Sequence, residues 1–209
     1  MKPLCHRTVY ELLVHIDSER ADQVRARGCP ICGAALHAAN YRRKPRGLSV
    51  TILRGLDTRR FSFCCSREGC RIRVTPPSVR FLGRRVYLAA IVALVTASRQ
   101  GPTPSGLRRL KSLLGVDRKT VTRWRRWWQE SFPESGCWRL LSGRLVPPVR
   151  AHEMPRGLME RFTCEGLLAK LVALLKFVAR GDWESRYLSV RQRPAQDGAR
   201  RRSVRYLSL

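Results

Sequence analysis

The chain has 209 residues, with 42 lysines and arginines against 15 aspartates and glutamates, a formal net charge of +27. That length admits one or two domains around a true hydrophobic core. The charge is too one-sided for ordinary solubility and excludes a life without a polyanionic partner, nucleic acid first and an acidic membrane surface second. Arginine outweighs lysine, which suits bidentate contact with phosphate and guanine. A codon bias toward arginine would account for part of this excess, but not for the shortage of acids. No stretch is long and apolar enough to cross a bilayer: Tyr87–Ala97 is too short, and Gly166–Ala179 is interrupted by Lys170 and Lys176.

Taken in chain order, the first residues, Met1 to Arg7, lead into no long apolar run, so no secretory signal is expected. Residues 8–27 begin apolar, continue as a polar helical stretch and stop at Gly28, a pattern that predicts a small N-terminal helical support over 1–28. Residues 29–77 predict a ribbon. It opens with Cys29-Pro30-Ile31-Cys32-Gly33, a knuckle whose proline and glycine set a tight turn with backbone amides aimed at a thiolate. A basic turn follows, Tyr41-Arg42-Arg43-Lys44-Pro45-Arg46-Gly47. Two strand-like runs, Leu48–Leu53 and Arg60–Cys64, flank Gly55-Leu56-Asp57. The second knuckle is Cys65-Ser66-Arg67-Glu68-Gly69-Cys70. Arg71–Thr75 alternates like a strand, and Pro76-Pro77 ends it.

Cys29, Cys32, Cys65 and Cys70 together suit a tetrahedral Zn²⁺, which prefers sulfur and holds segments together without redox chemistry. The competing reading is a set of buried free thiols, since cysteine is often core. It fits Cys137 and Cys164 better, which stand alone in apolar surroundings. A disulfide framework disagrees with a chain lacking a secretory signal, whereas a reducing cytoplasm and metal binding agree. Cys64 competes with Cys65. Strand neighbours face opposite ways, so one of the two reaches the metal, and Cys65 is favoured. His37 is read as a surface or packing residue rather than a ligand.

Beyond the ribbon, 86–133 predict a helical region. Tyr87–Arg99 reads as one continuous apolar helix, Gly101-Pro102-Thr103-Pro104 as a turn, and Ser105–Leu114 as a short helix with Leu107, Leu110, Leu113 and Leu114 on one side. Gly115-Val116 turns the chain, and Asp117 caps a helix from about Arg118 to Ser131. The run from Leu114 to Trp124 is a helix-turn-helix pattern, with Val116 packed beneath the turn and Val121 and Trp124 on the inner face. The opposite face then carries Arg118, Lys119, Thr122, Arg123 and Arg126, types that reach base edges and phosphates in a major groove. Arg42, Arg43 and Lys44 add a second basic element. The alternative is a solvated basic face with no partner. Residues 145–180 predict a helical extension, Pro155–Phe162 and then Gly166–Ala179, and 181–209, with Arg200-Arg201-Arg202, a basic tail that is disordered until it meets a polyanion.

This order of motifs resembles the DNA-binding front half of bacterial insertion-sequence transposases and of their small accessory proteins. The matching pieces are Cys29–Gly33, Tyr41–Arg43, Arg59-Arg60-Phe61, Cys65–Cys70 and Leu114–Trp124, over roughly residues 28–130. The resemblance implies a zinc-stabilised protein that binds double-stranded DNA at element ends or an operator, in the bacterial cytoplasm near the nucleoid. A separate catalytic transposase is the protein partner it leaves open. The ribonuclease-H-like catalytic domain of full transposases, where three carboxylates hold two Mg²⁺, has no counterpart here. Glu153, Glu160, Glu165, Asp182 and Glu184 are scattered and read as surface charges, and no nucleophile–base pair, Walker loop or dinucleotide loop appears. The expectation is an α+β protein, a small zinc ribbon followed by an all-α region, that is not an enzyme and takes no small-molecule substrate. Two rivals stand beside it: a truncated or divergent transposase with residual catalysis, and a zinc ribbon that binds RNA or the ribosome.

Overall fold

The computed structural model describes residues 7–47, 54–82, 87–97 and 103–191, with side chains as far as residue 181. Helix α1 (Arg7–Arg27) buries Tyr10, Leu13, Ile16, Asp17, Ala21 and Val24, and the spacings of three and four through 10, 13, 17, 21 and 24 keep one face inward. The two ends of that face enter different cores. Ala21 and Val24 pack with Leu36, Phe63, Val74 and two cysteines, while Tyr10, Leu13 and Ile16 join a larger cluster built from the rest of the chain.

The small core lies under a three-stranded antiparallel sheet of β1 (Leu36–Ala38), β4 (Phe63–Cys65) and β5 (Arg73–Val74), in the order β1-β4-β5. Leu36 faces Cys65, His37 faces Cys64, and Phe63 faces Val74. A separate pair, β2 (Tyr41–Arg42) and β3 (Arg59–Arg60), aligns Tyr41 with Arg60. The basic segment 41–47 is not wholly a turn, because its first two residues are β2. The run Arg60–Cys64 is not one strand. It breaks at Phe61-Ser62, where the Asn40 side chain accepts the Ser62 N–H at 3.0 Å and so replaces a ladder bond. The predicted strand 48–53 lies outside the described residues.

The large core centres on α2 (Ala89–Thr96), whose residues are buried on nearly every side. It starts later than the sequence suggested. Tyr87 bridges to Arg46 and Leu88 to Phe81, so these two residues are extended rather than helical. Thr103 caps α3 (Pro104–Leu114) by accepting the Gly106 N–H. Only Leu110 of α3 is fully buried. Leu107 and Leu114 pack partly, and Leu113, expected on the same side, is 54% exposed. Gly115 adopts the left-handed conformation, φ +64°, and returns its N–H to Lys111. Asp117 accepts the Thr120 N–H at 2.7 Å and starts α4 (Arg118–Arg126). The expected continuation to Ser131 is a wider π turn, Trp127–Ser131, which aims Trp128 into a cluster with Trp127, Phe132 and Trp138, ring centroids 4.7–5.6 Å apart.

Helix α5 (Gly136–Leu141), which the sequence did not announce, packs across α7 (Leu167–Arg191), with α6 (Arg156–Glu160) beside it. The predicted helix Pro155–Phe162 is shortened to α6. Helix α7 runs twelve residues beyond the expected end at Ala179, so the tail predicted to be disordered from 181 begins as helix. The reason is local. Arg180-Gly181-Asp182 looks like a helix stop, but Gly181 is where α5 crosses: a Cβ there would lie 2.3 Å from Leu141 Cδ1 and 2.6 Å from Cys137 Sγ. Arg200, Arg201 and Arg202 lie outside the described residues. Cys164 is exposed and not part of an apolar core, whereas Cys137 is buried and donates to the Val178 carbonyl at 3.4 Å.

Between the two cores runs the segment 76–82. Arg80 and Asp17, neither singled out by the sequence pattern, form a fully buried ion pair at 2.7 Å. Asp17 also accepts from Ser78 Oγ and the Val79 N–H. Arg80 donates to the carbonyls of Asp57 and Arg59 and lies against the rings of Tyr10, Phe61 and Phe81. Every polar atom of the pair is used, as a charge withdrawn from water requires.

Candidate metal centre and basic surface

The two knuckles bring four sulfurs together. Cys29 Sγ lies 3.8 Å from Cys70 Sγ and Cys32 Sγ 3.4 Å from Cys65 Sγ, and all four lie within 4.8 Å of one another. A tetrahedron of sulfurs around a metal at 2.3 Å has edges of about 3.8 Å. The four residues therefore lie close enough to hold a metal ion and fit the dimensions of a Zn²⁺ site. The register explains the choice between neighbours. Cys65 points into the small core opposite Leu36, while Cys64 points to the other side of β4 and donates to the Arg71 carbonyl at 3.5 Å. His37, cross-strand to Cys64, is exposed and outside the cluster.

Three of the sulfurs receive a backbone N–H from two residues downstream: Cys32 from Ala34, Cys65 from Arg67 and Cys70 from Ile72. The amide of Ala34 is the main reason the Cys32 thiol falls to about 7. Burial outweighs the amide at Cys65, which is pushed up to about 12, and also raises Cys70. Cys32 therefore ionises more readily than Cys65 and Cys70. A divalent ion at the centre would offset the cost of burial, since it favours the thiolate form of each sulfur it touches.

The second candidate site is a surface. Val121 and Trp124 sink one face of α4 into the large core, with Val116 fully buried beneath the turn. Arg118, Lys119, Thr122, Arg123 and Arg126 are all exposed on the other side. Arg126 is not unpaired there: its Nε lies 2.6 Å from Glu130 Oε2. Arg42 and Lys44 are exposed, while Arg43 is half-buried with its guanidinium 5.1 Å from the Phe81 ring centroid. Tyr87 joins the two basic elements. Its hydroxyl donates to the Gly115 carbonyl at 3.2 Å, its ring meets Trp124 edge-on at 4.9 Å, and Arg46 lies over its face at 6.0 Å. The sequence places Arg46 in the basic turn but not among the candidate DNA contacts. Its place between a proline and a glycine was the available signal, and the structure buries both of those neighbours.

Among the described residues, no helix is long and apolar enough to cross a membrane. Glu153 accepts the Arg150 N–H, Glu160 pairs with Arg156 at 2.6 Å, and Glu165 is exposed. No family model matches the chain, and neither a curated protein nor a solved structure matches it.

Proposed function

We propose that this is a zinc-stabilised protein that reads a DNA sequence through a helix-turn-helix and performs no catalysis, serving a mobile element of the kind its motifs resemble. The observation that carries the reading is the division of α4. Two inner residues hold it in the core, and the exposed residues opposite are basic or hydroxylic from the first turn to the last of a capped helix that follows a glycine turn. A side chain set of that kind can enter a major groove with its first turn at the base edges. The chain's +27 charge supplies the sequence-independent attraction. In this reading Cys29, Cys32, Cys65 and Cys70 hold Zn²⁺, which fixes the ribbon and takes no part in chemistry. The carboxylates Glu153 and Glu160 are occupied in local structure, which suits surface roles better than a shared Mg²⁺ site.

Selection of bound duplexes from a random pool, using the zinc-loaded full chain, tests this. One enriched duplex that structured RNA competes for poorly, and that stays intact with Mg²⁺ or Mn²⁺, is the expected result. Preferential binding of the RNA would replace the DNA reading. Cleavage by the pure protein that disappears on changing Glu153, Glu160 or Glu165 would replace the non-catalytic one.

A further inference from the structure

We infer that Arg42, Lys44 and Arg46 form one rigid DNA footprint with α4, in which α4 reads the groove and the 42–46 segment grips the phosphates bordering one side of it. The inference rests on reading α4 as a DNA reader. It adds that the ribbon and the helix act as a single surface rather than as two modules that bind independently.

The segment is fixed to α2 and the residues leading into it, and through Tyr87 to α4. The Arg46 carbonyl accepts the Leu88 N–H at 3.0 Å, and Arg46 and Tyr87 form a parallel bridge. Gly47, at φ +97°, lies so close to α2 that a Cβ would meet Ile91 Cδ1 at 3.0 Å, so the chain is pressed against the large core just after its basic residues. Tyr87 then reaches from Arg46 to both the Gly115 turn and Trp124 of α4. Because one tyrosine ring touches both partners, the Arg46 guanidinium and the Gly115 carbonyl lie within roughly 12 Å of each other, no more than the width of a major groove. A helix seated in the groove therefore places Arg46 and its exposed neighbours within reach of a flanking backbone strand. Side chains that meet only phosphate fix register without reading sequence.

The test uses the full zinc-loaded chain, the duplex it selects, and a triple variant R42A/K44A/R46A whose changes are all on exposed side chains. Hydroxyl-radical footprinting should show the wild type protecting the selected site and the backbone on one flank. The triple variant should lose that flank alone and keep its sequence preference. Its plot of log affinity against log salt should flatten by about 0.9 for each phosphate it no longer neutralises. Trimming the duplex on that flank should weaken the wild type and leave the triple variant unchanged. If wild type and triple variant protect the same backbone, or if the triple variant loses equal affinity on full and trimmed duplexes, the single-footprint inference fails while α4 remains a reader. If no duplex is selected at all, both readings fail together.

Discussion

Neighbouring thiols at 64 and 65 have opposite environments because a strand alternates its faces, and that alternation decides which one a metal meets. The two half-exposed cysteines, Cys32 and Cys70, close a cluster whose other two members are buried, so the site is reachable by a chelator and yet part of the small core. Zinc binding to such a site contributes about 10 kcal/mol or more of folding free energy. Serine at Cys29, Cys32, Cys65 or Cys70 should therefore abolish one bound zinc per chain and unfold the ribbon, whereas Cys64→Ser and Cys137→Ser should retain it. Elemental analysis with circular dichroism reads both, and zinc lost from Cys64→Ser would assign the ligand to the wrong neighbour. Asp117 offers a second residue-level test. The amide and hydroxyl of Thr120 hold its carboxyl below the usual value, so the cap contributes stability that is complete above the ordinary carboxylate pKa. That stability is lost as the pH falls through the lower, folded value. Asp117→Ala should lower the melting temperature at neutral pH. Asp117→Asn, which caps about as well, should stay near wild type and lose the acid-dependent part.

Helix α4 was legible because three independent signals coincide in it: a capping aspartate, a glycine turn before it and apolar residues three apart. The strands were not, since two- and three-residue strands carry too little alternation to read, and a side chain, Asn40, replaces a backbone bond where the pattern looked continuous. The length of α7 was hidden by Gly181, chosen for the close crossing with α5 at the expense of helix propensity, although Trp183, Tyr187 and Val190 recur at helical spacing beyond it. Within α4 the exposed arginines are unequal. Arg123→Ala should cost the selected duplex about 1–3 kcal/mol more than a scrambled one. Arg126 already faces Glu130, so its removal should cost both duplexes little. Conversely, Glu130→Gln frees Arg126 and should tighten binding to any duplex, steepening the salt dependence by the amount that about one further neutralised phosphate contributes. Binding isotherms over a salt series separate these cases, and equal losses for Arg123→Ala on both duplexes would make α4 a basic surface only.

On the scale of the molecule, two apolar cores share one helix, and the Asp17–Arg80 pair lies at the junction. The cysteine spacing disclosed the small core and the helical periodicity much of the large one. Nothing in the sequence disclosed their junction, because residues 63 positions apart meet only in the folded chain. An arginine between Val79 and Phe81 signals burial only when its partner is known. That partner holds the segment 76–82 through Ser78 and Val79, while Arg80 holds the start of β3 and the loop before it through the carbonyls of Arg59 and Asp57. Removing one member of a buried pair leaves an uncompensated charge and costs about 3–5 kcal/mol. In a chain of this size that corresponds to a fall of roughly 6–20 °C in melting temperature. Asp17→Ala should therefore lower the melting temperature by that much. The metal cluster draws on the far end of α1, through Ala21 and Val24, and should keep its zinc. With the junction loosened, the ribbon's basic segment no longer has a fixed position relative to α4, so affinity for the selected duplex should fall more than affinity for scrambled DNA. Zinc content, thermal melting and the two affinities, measured on the same preparation, check the argument. A variant that melts within about 2–4 °C of wild type would show that the pair is not what joins the two cores.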